Sequence, residues 1–168
     1  MGPYGKIHPI QGRSIFATQH SGAVPSAPNR TVHIELGRLN LMTRDQRAVR
    51  ALFAKLKRAP LRTFPKLRQE LDAPRALGVY VIYDPKGRVA HVGSTPRAAG
   101  GIAQRLRNHM QGASSFTKRR LKGDGVQLRG RYRYRCIEVR AKRHRALLEA
   151  YAIGSLCPIH IGTGERAS

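Results

Sequence analysis

The spacing of apolar and polar positions changes twice along the chain. Residues 1–30 are rich in Gly, Pro, Ser and Gln and hold no period, which reads as a mobile segment. Thr31 to Leu36 alternates Val32, Ile34 and Leu36 against Thr31, His33 and Glu35, the period of a half-buried strand. At Thr43 the period becomes helical. Thr43 and Gln46 have the spacing of a capping box, each side chain serving a backbone N–H that the first turn leaves free. Val49, Leu52, Phe53 and Leu56 then fall at i, i+3, i+4 and i+7, while Arg44, Arg47, Lys55 and Arg58 lie elsewhere. Pro60 ends this helix. Pro65 suits a first helical turn, so a short helix to about Leu71 is expected before Pro74.

From Gly78 the texture is that of a sheet. Val79 to Tyr83 is β-branched and aromatic, Asp84-Pro85-Lys86-Gly87 is a turn, and Val89 to Val92 is the returning strand, stopped by Gly93. Ile102 to Met110 predicts a helix. Residues 111–130 carry four glycines and predict a loop with one helical turn near Ser115 to Leu121. Arg131 to Val139 is a third strand and Ala141 to Leu156 a long helix. Strands joined by a tight turn are antiparallel. The expected class is therefore α+β, a small three-stranded antiparallel sheet flanked by helices over residues 78–168. A basic extension, 31–77, holds a strand and one or two helices. It is too short to bury a core of its own, so it packs on the sheet domain or clamps a ligand from a second side.

Charge narrows the partners. The 168 residues hold 32 Lys and Arg against nine Asp and Glu, a formal +23. Residues 1–77 carry 14 basic and 4 acidic groups and residues 78–168 carry 18 and 5, so the excess is not a tail on a neutral domain. Such a field attracts polyanions, with counterion release from phosphates supplying much of the affinity. Lys118, Arg119, Arg120 and Lys122 lie in the loop, and Arg129, Arg131, Arg133 and Arg135 follow it. On a strand the last three would share one side and Tyr132 and Tyr134 the other. Arg140, Lys142, Arg143 and Arg145 continue the run. Lys118, Arg119, Arg120, Lys122, Arg131, Arg133, Arg135 and Arg143 are the expected contacts to nucleic acid, with Ser114 and Ser115 as further donors. The competing reading is a solvated positive face.

No stretch of about 18 apolar residues exists, which argues against a membrane helix. Met1 to Gln19 lacks the apolar run of a secretory signal, so a cytoplasmic protein is expected. Cys136 and Cys157 have no partners at zinc spacing and are expected to be plain core residues.

Five positions carry a more specific message. Gly78-Val79-Tyr80 and His91-Val92-Gly93 stand on the first two strands of the sheet, with ten residues between Tyr80 and His91. Arg105 and His109 are one turn apart on the next helix, and Glu149 lies on the last. In this order and on these elements they resemble the GIY-YIG nuclease family, over roughly residues 78–162. The resemblance implies a metal-dependent endonuclease acting on DNA, most naturally double-stranded, with Glu149 holding one Mg²⁺ or Mn²⁺. Arg105 is a planar cation that grips phosphate through two N–H groups, and His109 reaches the same phosphate. Tyr80 has an ordinary pKa of about 10, which a neighbouring Arg and a divalent cation would lower, making the phenolate a proton acceptor. His91 stands where the family usually has Tyr. It replaces that hydroxyl beside the attacking water, shares the task with Tyr80, or packs at the strand edge. For Glu149 the competing reading is an ion pair with Arg145, worth about 0.3–0.5 kcal/mol. The family's Asn, about twelve residues after the glutamate, corresponds to Ile161 here, beside His160. A double-strand cut needs two active sites or two successive nicks, and a homodimer is one route to it. The rivals are a binding module that kept this fold without catalysis, and a ribosomal-type RNA-binding protein.

Overall fold

The computed structural model describes residues 42–96 and 99–162, so the strand expected at Thr31–Leu36 and the segment before it lie outside the described residues. Those described belong to one unit that starts at Asn40. Helix α1 spans Arg44–Arg58 and begins where the capping box requires. Thr43 Oγ1 accepts from Gln46 N at 3.2 Å, and Gln46 Oε1 accepts from Thr43 N at 2.8 Å. Its buried face is Val49, Phe53 and Leu56.

The class is α+β, with four strands where three were expected. The additional strand, β1 (Arg62–Thr63), pairs antiparallel with β4 (Arg133–Glu138). It is anchored by Phe64, which is 1% exposed and meets the Tyr134 ring edge-on at 4.9 Å. The short helix expected from Pro65 to Leu71 is replaced by a turn in which Gln69 N donates to Lys66 O and Arg68 takes φ 65°. Lys66 to Glu70 are all exposed. With no apolar face to bury, a proline at a first-turn position could not sustain a helix.

Strand β2 (Gly78–Tyr83) pairs antiparallel with both β3 (Val89–Ser94) and β4, giving the order β1-β4-β2-β3 with β3 at an edge. The β2–β3 turn is held by the Asp84 carboxylate, which accepts from the backbone N–H groups of Lys86 and Arg88, both at 2.9 Å. Gly93 does not end β3, which runs on to Ser94.

The sheet is covered on both faces. On one, Tyr80, Ile82, Tyr134 and Cys136 pack with Ile102, Leu106, Phe116 and Leu128. These come from α2 (Gly101–Met110), α3 (Ser115–Arg120) and a 3₁₀ turn at Gly125–Leu128. On the other, Val79, Val81, Val92 and Ile137 meet Phe53 and Leu56 of α1 and Leu148 and Ala152 of α4 (Lys142–Leu156). A sheet with two apolar faces needs this three-layer arrangement. Cys136 is in the core as expected, but Cys157 is exposed, at the left-handed C-cap of α4 with φ 45°. No helix among the described residues is long and apolar enough to cross a membrane.

Because Leu56 is 1% exposed between α1 and the sheet, Leu56→Ala should lower stability by about 2–5 kcal/mol. Thr43→Ala, which removes a cap outside the core, should cost only about 1 kcal/mol. Urea unfolding followed by circular dichroism checks both. A Leu56→Ala loss no larger than the Thr43→Ala loss would contradict the packing of α1.

Candidate active site

Edge strand β3 is partly closed by the chain that follows α4. Ile159 N donates to Val89 O and His160 N to Ala90 O, each at 3.0 Å. Beyond that cover, a cleft of about 410 Å³ opens, lined by His91, Gly93, Arg105, His109, Ser115 and Glu149 among others. Strand alternation explains how both sides of the sheet contribute. His91 and Gly93 face α2 together with Tyr80, whereas Ser94 points to the α4 side. There its hydroxyl donates to Glu149 Oε2 at 2.5 Å.

Gly93 is the steric key. It stands opposite Tyr80 in the β2–β3 register. A Cβ at this position would lie 2.4 Å from the Tyr80 hydroxyl oxygen, 2.6 Å from its ring carbon Cζ and 3.1 Å from His91 Nε2. Only a missing side chain lets the phenol lie against the strand with His91 beside it. Gly78 meets a similar limit, since its Cβ would fall 2.1 Å from Ile137 O.

Beneath Gly93, the Tyr80 hydroxyl is 2.8 Å from His109 Nε2, and His109 Nδ1 is 2.6 Å from Ser114 Oγ. Ser114 Oγ also lies 2.9 Å from Thr117 Oγ1, and that hydroxyl donates to Ser114 O at 3.1 Å. The phenol has no other acceptor among the described residues, so it donates to Nε2. The proton of His109 then sits on Nδ1 and goes to Ser114, whose hydroxyl donates to Thr117. Every proton in the row has an acceptor. Ser114 is thus committed to His109 and is not a surface donor, whereas Ser115 is exposed at the cleft.

Burial dominates the ionisation of this group. Tyr80 is 0% exposed, and burial pushes its hydroxyl up to about 12 against the opposing pull of Arg105. Burial thus opposes the expected phenolate: desolvation exceeds the attraction of the guanidinium. Burial holds His109 well below the ordinary histidine range, with the fields of His91 and Arg105 acting the same way. His91 is pushed down to about 4, again chiefly by burial. Its Nδ1–H donates to His160 O at 3.3 Å, which leaves the Nε2 lone pair beside Gly93. The ring stacks on Phe116 at 5.4 Å and 5°.

Arg105 is half-buried, and its Nε is buried with no hydrogen-bond partner. It is a cation held at the cleft with no ion-pair partner among the described residues. Glu149 is equally unpaired with any cation among the described residues, because Arg145 is engaged elsewhere. Arg145 is 5% exposed and donates to Thr95 O at 2.8 Å and to Val139 O and Arg140 O at 3.0 Å. The ion pair considered from the sequence is absent. No group of three His, Cys, Asp or Glu suited to a metal occurs among the described residues. A single carboxylate fits only a hard cation that keeps waters and shares oxygens of a substrate, as Mg²⁺ does.

The basic residues divide. Lys118, Arg119 and Arg120 are exposed on α3, whose first residue lines the cleft, and Lys122 follows just beyond. Arg131 precedes β4 and is exposed. Arg133 and Arg135 pair with Tyr83 and Val81, on the α1–α4 face and away from Tyr80. Arg135 lies 6.0 Å from the Tyr83 ring centre. Arg143 ties α4 to α1 through Asp45 at 2.8 Å. The sequence did not point to Ser94 or Thr117, or to His160 as the partner of His91. Ser94 adjoins the second motif, but the other two depend on contacts that no local pattern encodes.

Compared with models of known protein families the chain matches none, and no curated protein matches it.

The enclosed Tyr80–His109–His91 group has two measurable consequences. Gly93→Ala should cost about 1–3 kcal/mol by overpacking, and the loss should shrink when Tyr80→Phe removes the nearest atom, as a double-mutant cycle in urea would report. Acid should also destabilise the protein. His91 binds its proton near 6.5 when unfolded but only near 4 when folded, so its stabilisation is complete above about pH 6.5 and is lost as pH falls toward 4. The full difference is roughly 3 kcal/mol. Melting temperatures between pH 7 and 4 should fall less steeply in His91→Asn than in wild type; equal slopes would contradict the burial.

Proposed function

We propose that the chain is a DNA endonuclease of the GIY-YIG kind, hydrolysing phosphodiester bonds with one divalent cation. The observation that supports this most is the meeting of β3, α2 and α4 side chains at one cleft, with Tyr80 of β2 directly beneath it. An unpaired guanidinium, a neutral imidazole and an unpaired carboxylate share that cleft. This is the set that phosphodiester hydrolysis requires: phosphate charge neutralised, a water deprotonated and a cation held.

In this reading Arg105 binds the non-bridging phosphate oxygens through its planar fork. His91 takes the proton of the attacking water at Nε2, the nitrogen that its Nδ1–H bond to His160 leaves free. Glu149 would hold Mg²⁺ or Mn²⁺, its carboxylate oriented by Ser94. When bound, the cation stabilises charge on the phosphoryl and departing oxygens. Tyr80 touches no substrate. It is a positioning residue that fixes the ring of His109 behind Arg105. Lys118 and Arg119, on the α3 rim, would contact the flanking backbone of double-stranded DNA without reading its sequence. Cutting both strands would take two successive nicks or a homodimer.

A second reading, a binding module without catalysis, draws on the enclosed, protonated Tyr80 and on Ile161 at the family's asparagine position. Supercoiled plasmid incubated with Mg²⁺ or Mn²⁺ separates the two. The expected result is cation-dependent nicking, abolished by chelation. Arg105→Ala and Glu149→Ala should each reduce it by about 10²-fold or more while duplex affinity at low salt is kept. If wild-type protein nicks no faster than Glu149→Ala yet both bind, the binding-module reading replaces the first.

A further inference from the structure

Helix α2 has a second basic flank. Arg105 and Arg107 are two positions apart, roughly 200° around a helix of 3.6 residues per turn, so they leave α2 on opposite sides. On the side away from the active cleft, a cleft of about 300 Å³ is lined by Arg75, Arg107 and Arg129 with Gln69, Gln111 and Glu70. The arginines come from three segments, the chain before β2, α2 itself and the chain before β4.

Backbone bonds hold those segments in place. Ile102 N donates to Ala76 O and Ala103 N to Pro74 O, both at 3.0 Å, which fastens the Arg75 segment to the first turn of α2. Gly130 N donates to Phe64 O at 2.9 Å, and Arg129 Nη1 donates to Lys66 O at 3.4 Å. Arg107 and Arg129 are half-buried, and none of the three arginines has an ion pair among the described residues. Glu70, the one acid in the wall, has none either. Three full positive charges face one negative charge and the partial negative end of α2, about half a charge. The cleft is left positive by more than one charge, with forked donors and carboxamides converging on it. Three guanidinium groups suit an anion with several equivalent oxygens, each able to take two N–H bonds.

We propose that Arg75, Arg107 and Arg129 form a phosphate-binding site separate from the active cleft. The phosphate is one of a nucleic-acid strand or a free inorganic phosphate, and the chemistry of recognition is the same. Fixed positions of the three segments mean that little ordering is needed on binding.

The test uses the full chain without divalent cation, so it does not depend on cleavage. Affinity for a labelled 20-base-pair duplex is measured between 50 and 200 mM salt for wild type, Arg107→Ala/Arg129→Ala, and a control pair of exposed α1 residues, Arg44→Ala/Arg47→Ala. Two lost phosphate contacts should reduce the slope of log affinity against log salt by roughly 1.8, with a smaller change in the control pair. Arg75→Ala, at the exposed rim, should shift it the same way without disturbing a packed side chain. In parallel, inorganic phosphate at constant ionic strength should raise the melting temperature of wild type but not of the double variant if the site takes the free anion. A lowered slope without a phosphate shift assigns the site to a strand. An unchanged or control-like slope together with no phosphate shift overturns the site. Because cleavage is not read, a protein that fails to nick can still pass, and one that nicks can still fail.

Discussion

The absence of one side chain, at Gly93, determines how the candidate site is built. Its Cβ position is taken by the Tyr80 hydroxyl and by His91 Nε2, so the phenol lies against an edge strand instead of pointing past it. From there it reaches His109, and a bond of 2.8 Å between enclosed groups fixes one turn of α2 against the sheet. Arg105 is one turn earlier on the same helix, so the orientation of His109 also sets where the guanidinium enters the cleft. Ser114 and Thr117 complete the row from α3. One strand and two helices are thus registered by a single line of hydrogen bonds, all of it uncharged.

A second constraint decides the state of Glu149. Arg145 is one helical turn away and would be the obvious partner, yet it is buried and satisfied by three backbone carbonyls. Those carbonyls belong to the end of β3 and to the turn between β4 and α4, where the chain runs out of regular structure. Leaving them without a donor would cost about 1–3 kcal/mol each, more than the about 0.3–0.5 kcal/mol of a helix-surface ion pair. The carbonyls therefore win, and the guanidinium turns inward. Glu149 is left at the cleft with only the Ser94 hydroxyl, which orients a carboxylate without neutralising it.

These two constraints also explain what was legible in the sequence. The capping box at Thr43 and Gln46, the hairpin around Asp84 and the boundaries of α1 and α4 rest on local signals, and they were readable to within a residue or two. His91, Arg105, His109 and Glu149 line one cleft, but they were grouped in advance only through the family resemblance, since their local patterns do not say which elements meet. What escaped was set by distant parts of the chain. Strand β1 is two residues long and exists because Phe64 fills a space against Tyr134. The partner of His91 is a carbonyl 69 residues later in the chain. Arg133 and Arg135 alternated as expected, but only the β2–β4 register showed that their side of the sheet is the one away from Tyr80. The burial that raises the Tyr80 hydroxyl was not legible either, because residue types give the sign of a neighbouring charge but not the depth of burial.

The electrostatic balance of the cleft bears on the proposed chemistry. Arg105 and Glu149 contribute one charge of each sign, and the neighbouring imidazoles His91 and His109 are kept neutral by burial. Outside lies a chain of net +23. The field that gathers a polyanion is therefore separate from the groups that would act on it. An arriving phosphate diester would place a negative charge beside Arg105, which itself contributes to holding His91 down. Neutralising that cation weakens its repulsion of a proton on His91, so the imidazole becomes a stronger base when substrate is present. Burial, the larger influence, is unchanged by this, and it keeps His91 unprotonated across the neutral range. In the proposed reaction, substrate binding and base strength would be coupled through one guanidinium.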